Sequence, residues 1–94
     1  MRDLQEIRQS LDAVDREIVR LFEERMQLSR EVAAYKIANG MPVLDQSREA
    51  QVLASRCAML KDPYWAPFVE ELYESIMAMS RAEQRDMLRE AQHA

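Results

Sequence analysis

The stretch LFEERMQLS, residues 21–29, lies in the middle of a long run of apolar residues that are spaced three and four apart. The positions of this run, called the seam below, are Leu4, Ile7, Leu11, Val14, Ile18, Leu21, Leu28, Val32 and Tyr35. This spacing is typical of a helix that buries a narrow apolar stripe against another helix. Arg25 stands between Leu21 and Leu28, where the pattern asks for an apolar residue. The sequence therefore predicts a long helix that carries a cation in its seam.

The overall composition favours helix throughout the chain. Its 94 residues are 48% hydrophobic, and they include one glycine and three prolines. Ala, Leu, Glu, Gln, Arg and Met dominate, and these residues have high helix propensity. So few turn-forming residues leave little material for the tight turns of a sheet. We expect one all-α domain that covers residues 1–94.

Several classes of function are disfavoured by charge and by the scarcity of reactive residues. A net charge of −4 argues against nucleic acid or an anionic membrane as a partner, and no apolar run is long enough to span a bilayer. Cys57 is the only cysteine and His93 the only histidine, so we expect no disulfide, metal site or histidine-based triad. Gly40 stands alone and cannot form a glycine-rich phosphate loop. We predict a cytoplasmic protein without cofactor or metal.

Three helices are expected, separated by glycine and proline. Gly40 provides a left-handed helix end, and either Asp45 or Ser47 can cap the start of the next helix. Pro63 and Pro67 both suit a first helical turn, which predicts that the third helix begins in two steps. The predicted helices cover about residues 3–39, 46–60 and 66–91.

The first predicted helix is too long to be covered by its own chain. At 1.5 Å per residue it extends for roughly 54 Å, whereas a compact chain of this size has a radius of gyration of only about 12 Å. Two shorter helices would leave half of the seam exposed to water. The simplest way to bury that half is to pair it with the long helix of a second copy of the chain. We predict an intertwined homodimer; a long exposed coiled-coil arm is the alternative.

Polar residues on the face of the seam indicate a binding site. Arg25 and Lys36 are eleven residues apart, which is close to three full turns, so both project from one face about 16 Å apart along the axis. Ser29 and Val32 lie between them and are small enough to form a floor. In an antiparallel pairing of the long helices, Arg8 of one chain approaches the site of the other. For Arg25 alone, an internal salt bridge with a Glu or Asp of the dimer is the simpler interpretation.

The other two helices contribute similar polar positions. Ser80 and Gln84 interrupt the apolar stripe of the third helix, four residues apart, and need hydrogen-bond partners if they are buried. Backbone or water would satisfy them equally well. Near the start of the second helix, Asp45 and Glu49 flank Arg48. Taken alone, that segment predicts a capping aspartate followed by a surface pair between Arg48 and Glu49.

The combined set of polar residues suggests a small anionic ligand. It contains four cations, two carboxylates and two neutral donors: Arg8, Arg25, Lys36, Arg48, Asp45, Glu49, Ser80 and Gln84. None of these is a strong nucleophile. A cation-rich pocket of this kind suits a dicarboxylate that is bound and stabilised electrostatically.

At the level of whole segments, the sequence resembles the all-helical class of chorismate mutases over nearly its entire length. The segments that carry the resemblance are IRQSLDAVDREIVRLFEERMQLSREVAAYK, PVLDQSRE and IMAMSRAEQ, in this order. The resemblance implies a dimer of three-helix protomers that converts chorismate to prephenate by a [3,3] sigmatropic rearrangement. This reaction belongs to phenylalanine and tyrosine biosynthesis.

Roles for the cationic residues follow from the resemblance. It implies that Arg8 serves the active site of the partner subunit and that Arg25 binds a substrate carboxylate in its own protomer. Lys36 matches a lysine that contacts a carboxylate and the ether oxygen of the substrate. Arg48 matches the arginine between the two acidic positions.

Roles for the remaining residues follow in the same way. Asp45 and Glu49 match the acidic positions of the second helix, and the glutamate binds the substrate hydroxyl. Ser80 matches a carboxylate contact, and Gln84 matches the second donor to the ether oxygen. Arg25 would then be tolerated in the seam because the substrate is its counter-ion.

Two alternatives differ from a mutase. An isochorismate-pyruvate lyase of the same fold would share the arginines and the lysine, although Asp45 and Glu49 fit the mutase pattern better. A non-catalytic helical dimerisation or regulatory module would explain the seam, but not the polar residues that interrupt it.

Overall fold

The computed structural model describes residues 1–94 and contains only helices and their connections. Helix α1 covers Leu4–Ala38, α2 covers Gln46–Ala58 and α3 covers Ala66–Gln92, with a 3-10 turn at Pro63–Trp65. The all-α prediction is confirmed, and the observed helix ends differ from the expected ones by at most two residues. None of the three helices contains an apolar stretch of the length needed to span a bilayer.

The ends of α1 are defined by local interactions. The side chain of Asp3 accepts a hydrogen bond of 2.9 Å from the backbone N–H of Glu6, which satisfies one of the free donors of the first turn. At the other end, Gly40 adopts a φ of +62° directly after the last turn. Nothing lies within 4 Å of the place where a Cβ would stand, so the backbone conformation alone favours glycine there.

Helix α3 begins in two steps, as the two prolines predict. The carboxylate of Asp62 accepts from the backbone N–H of Tyr64 at 2.9 Å and caps the 3-10 turn. Pro67 then occupies the first turn of α3, where the missing backbone N–H costs nothing.

The three helices form a flat, elongated protomer. Helix α3 packs along both α1 and α2. The chain measures 57 × 27 × 15 Å with a radius of gyration of 17.0 Å, well above the value of about 12 Å for a compact chain of this length. The N-terminal half of α1 therefore extends beyond the other helices and leaves its seam uncovered by the chain itself.

The few buried residues mark the place where all three helices meet. Only six of the 94 residues are buried, and three of these are polar. Ala33, Val52 and Met77 supply one apolar residue from each helix. The polar members are Ser29, Ser80 and Gln84. The best-protected part of the protomer is thus lined by hydroxyl and amide groups as well as by apolar atoms.

Candidate active site

A cleft with a volume of about 340 Å³ opens at the meeting point of the three helices. This size falls within the range of small-molecule sites. Nine of the ten predicted site residues line the cleft: Arg25, Ser29, Val32, Lys36, Asp45, Arg48, Glu49, Ser80 and Gln84. Helix packing therefore brings side chains that are up to 59 positions apart in the sequence to one small volume.

Arg25 lies half-buried at one end of the cleft. Its Nη1 donates a long hydrogen bond of 3.4 Å to Oγ of Ser80, and its guanidinium carbon lies 5.8 Å from the centre of the Tyr73 ring. These are neutral contacts, and the chain places no carboxylate within ion-pair distance of Arg25. A salt-bridge partner for Arg25 would therefore have to come from the second chain of a dimer.

Lys36 lies on the same face of α1, three turns further along. Its ammonium donates to the backbone carbonyl of Val43 at 2.7 Å and forms no ion pair in the chain. This bond ties the connection between α1 and α2 to the cleft wall. An ammonium has three hydrogens, so the bond to Val43 leaves donors available for a ligand.

Gln84 and Ser29 form a buried polar contact across the α1–α3 interface. The amide nitrogen of Gln84 donates to Oγ of Ser29 at 2.9 Å. The carbonyl oxygen of the same amide is buried and accepts no hydrogen bond, a state that costs about 1–3 kcal/mol. Turning the amide by 180° would let Ser29 donate to that oxygen and would leave the amide hydrogens without an acceptor in the chain, so that a ligand oxygen could accept from them. The pair is therefore suited to presenting a neutral donor to a ligand.

The start of α2 supplies the acidic residues and Arg48. Asp45 caps the helix, because its carboxylate accepts from the backbone N–H of Arg48 at 3.0 Å. The guanidinium of Arg48 donates to Gln51 at 2.8 Å. The prediction of the Asp45 cap is confirmed, but the prediction of a surface pair between Arg48 and Glu49 is wrong. Glu49 instead turns toward α3 and pairs with Arg81, since residues adjacent on a helix point in different directions.

Two cations of the cleft, Arg56 and Arg81, were missed by sequence reasoning. Their spacing from predicted site residues could have indicated them. Arg81 precedes Gln84 by three positions, and Arg56 follows Glu49 by seven, so each shares a helix face with a predicted site residue. The remaining lining residues are apolar: Leu28, Val43, Val52 and Met77.

Arg8 is the one predicted site residue that does not line the cleft. It is exposed on the N-terminal part of α1. Seventeen residues separate it from Arg25, which corresponds to about 26 Å along the helix. The Arg8 side chain therefore cannot reach the cleft of its own chain.

The cleft is electropositive although the chain as a whole is acidic. Five cationic side chains and two carboxylates line it, whereas the net charge of the chain is −4. The carboxylate of Glu49 is already paired with Arg81. A ligand with two negative charges would complement the cations that remain.

Comparison with known proteins agrees with this geometry. Residues 7–85 match the family described as chorismate mutase type II. Among curated relatives, the chain is 30% identical over 71 residues to a bifunctional chorismate mutase/prephenate dehydratase of Aquifex aeolicus, covering 76% of this chain and 20% of that protein. It is 31% identical over 83 residues to the T-protein of Haemophilus influenzae, covering 87% of this chain and 22% of that protein.

A third relative matches over about half of this chain. The chain is 39% identical over 49 residues to a chorismate mutase of Methanocaldococcus jannaschii, which covers 52% of this chain and 50% of that protein. The chain thus spans between a fifth and a half of the length of these relatives. No solved structure matches it. Because the family match covers most of the helical chain, the chain belongs to the chorismate mutase type II family.

Proposed function

We propose that this chain is an isomerase that converts chorismate to prephenate in aromatic amino acid biosynthesis. The observation that carries the proposal is the presence of Arg25 and Lys36 in one cleft, neither with a carboxylate partner in the chain. Partly buried cations require an anion, and chorismate carries two carboxylates. Family membership indicates the reaction, and the cleft supplies the groups that it needs.

The first contribution to rate is the selection of a compact conformer. Chorismate rearranges only when its side chain folds over the ring so that the carbon atoms that will bond are close. We assign Arg25 and Ser80 to the carboxylates, because they already contact each other at one end of the cleft. Glu49 accepts from the ring hydroxyl. Holding the substrate at these points stabilises the compact conformer, so that the bound substrate is already arranged for reaction.

The second contribution is electrostatic. Breaking the C–O bond places partial negative charge on the ether oxygen of the substrate. Lys36 and Gln84 line the same cleft as Arg25 and are the two donors to this oxygen. Fixed donors in a site with little water stabilise such charge most strongly. No general base or covalent intermediate is required.

The functional unit in this proposal is a homodimer with shared sites. The six seam residues from Leu4 to Leu21 are between 39% and 61% exposed in the single chain, which leaves a continuous apolar stripe on the N-terminal half of α1 for a second α1 helix to cover. Arg8 cannot reach the cleft of its own chain. In an antiparallel pair of α1 helices, however, Arg8 of the partner subunit lies near this cleft. It adds a further cation to the carboxylate site.

Two further expectations belong with this function. We propose that residues 1–94 act as one domain, because all three helices contribute to one cleft. A cytoplasmic location fits the single free cysteine and the biosynthetic names of the relatives.

Incubation of the purified chain with chorismate tests the proposal directly. We expect chorismate to disappear at a saturable rate and prephenate to form in equal amount, with both followed by absorbance and chromatography. Lys36→Met is the matched control and should be nearly inactive. The lyase alternative predicts instead that isochorismate is cleaved to pyruvate and salicylate while chorismate persists. That outcome, or no turnover of chorismate by a folded dimer, would refute the mutase assignment.

A further inference from the structure

The most deeply placed ion pair of the protomer lies in the wall of the cleft. Nη1 of Arg81 contacts both carboxylate oxygens of Glu49, at 2.5 and 2.6 Å. The two side chains are 26% and 25% exposed, less than either partner of any other ion pair in the chain. It is also the only ion pair that joins α2 to α3.

This contact anchors a carboxylate that would otherwise be free to move. Glu49 lies in the first turn of α2, and its side chain has three rotatable bonds before the carboxylate. A single nitrogen that contacts both oxygens anchors the carboxylate group in one place against α3. Each oxygen retains a further lone pair, so Glu49 can still accept a hydrogen bond from a ligand hydroxyl.

The same contact neutralises the positive charge of Arg81. Its guanidinium is neutralised by Glu49, whereas Arg25 and Lys36 in the same cleft have no carboxylate partner. A dicarboxylate therefore gains more from the cleft cations that lack a carboxylate partner than from Arg81. The unpaired cations of the cleft are therefore available to bind the ligand, whereas Arg81 is engaged in an ion pair within the protein.

We propose that Arg81 is a positioning residue of the cleft, which acts on the substrate only through Glu49. It holds the Glu49 carboxylate ready for the ring hydroxyl and cancels the charge that would repel a dianionic substrate. This inference rests on the proposed function, because it assigns the hydroxyl contact to Glu49. Sequence proximity does not suggest the pair, since 32 positions separate the two residues.

A double-mutant cycle tests the proposal. We compare the parent protein, Arg81→Met, Glu49→Gln and the double variant by kcat/KM for chorismate. Side chains in direct contact commonly couple strongly, so Arg81→Met should lower kcat/KM about tenfold in the parent background. In the Glu49→Gln background the same change should alter kcat/KM by less than about twofold, because the group that Arg81 positions is no longer a charged acceptor.

Two additional variants separate positioning from a structural role. Arg81→Lys should restore most of the lost activity, because one nitrogen makes both contacts and an ammonium can replace it. Arg85→Met, on the exposed face of α3, is the control for loss of a cation and should leave kcat/KM unchanged. Helix content by circular dichroism is measured for every variant. If Arg81→Met does not fold, the cycle is carried out with Arg81→Gln in its place, and Arg81→Lys remains the rescue variant.

A binding measurement gives the second readout. The dissociation constant of a dicarboxylate transition-state mimic is measured by calorimetry for the same four proteins and should follow the same pattern. An equal loss from Arg81→Met in both backgrounds would show that Arg81 binds the ligand directly and would overturn the proposal. An inactive, folded parent would overturn the proposed function itself, whereas an active parent with an uncoupled cycle overturns only the role of Arg81.

Discussion

Replacing Gln84 by glutamate tests the electrostatic half of the mechanism. Gln84 is only 8% exposed, and its amide nitrogen is held 2.9 Å from Oγ of Ser29. Glutamate has nearly the same shape, so Gln84→Glu preserves the packing between α1 and α3. It replaces a permanent donor by a group that donates only when protonated. An ionised carboxylate at this position would also repel the negative charge that develops on the ether oxygen.

The expected loss can be worked out from the burial of the site and from general values. Removing one preorganised donor costs about 10²–10³-fold in rate. A carboxyl with the usual pKa of about 4.3 is protonated in only about one molecule in 1,600 at pH 7.5. Burial raises the pKa of the introduced carboxyl, and Lys36 in the same cleft lowers it. While the pH stays above that pKa, each unit of acidification increases the protonated fraction about tenfold.

The assay is kcat for chorismate between about pH 5 and about pH 8, a range that includes the steep part of the expected titration. We expect Gln84→Glu to be at least about 100-fold slower than the parent at pH 7.5, which corresponds to the loss of one donor, and to recover steadily toward acid. The native amide has no such titration, and Gln84→Met, which lacks a donor at every pH, should be slow throughout.

Folding of each variant is checked by circular dichroism at each pH. A folded Gln84→Glu protein with parental activity at pH 7.5 would show that Gln84 does not contact the ether oxygen.

Four further outcomes follow from the structure. Refolding Arg8→Ala together with Arg25→Ala should restore about a quarter of the parental activity, because half of the random dimers are mixed and each mixed dimer has one intact site; confirmed chain exchange without activity would contradict shared sites. Lys36→Met should lower kcat about 10²–10³-fold at unchanged helix content, and near-parental turnover would remove Lys36 from the ether oxygen. Sedimentation should give a dimer of about twice the 11.0 kDa chain mass that unfolds as it dissociates on dilution, whereas a helical monomer would contradict the argument from the seam. Gly40→Ala should reduce the free energy of unfolding by about 1–2 kcal/mol, measured in urea, because φ is +62°; an unchanged midpoint would show that the backbone relaxes at no cost.

The sequence by itself determined the helices and most of the residues that line the cleft. Helix ends depend on a few neighbouring residues, such as the capping carboxylate of Asp45 and the left-handed conformation of Gly40, and such local rules can be applied to a sequence directly. The period of the seam also identified Arg25 and Lys36 as members of one face. Because helical periodicity is fixed at 3.6 residues, it holds before any helix packs against another.

Only the tertiary structure decided which side chains meet. The sequence suggested that Glu49 pairs with its neighbour Arg48, but the packing of α3 against α2 brings Arg81 to it from 32 positions away. Likewise, the partner of Gln84 is Ser29 on another helix, 55 positions away. The distance and angle between two helices depend on all the side chains in their interface. Partners across an interface therefore cannot be deduced from the spacing within either helix.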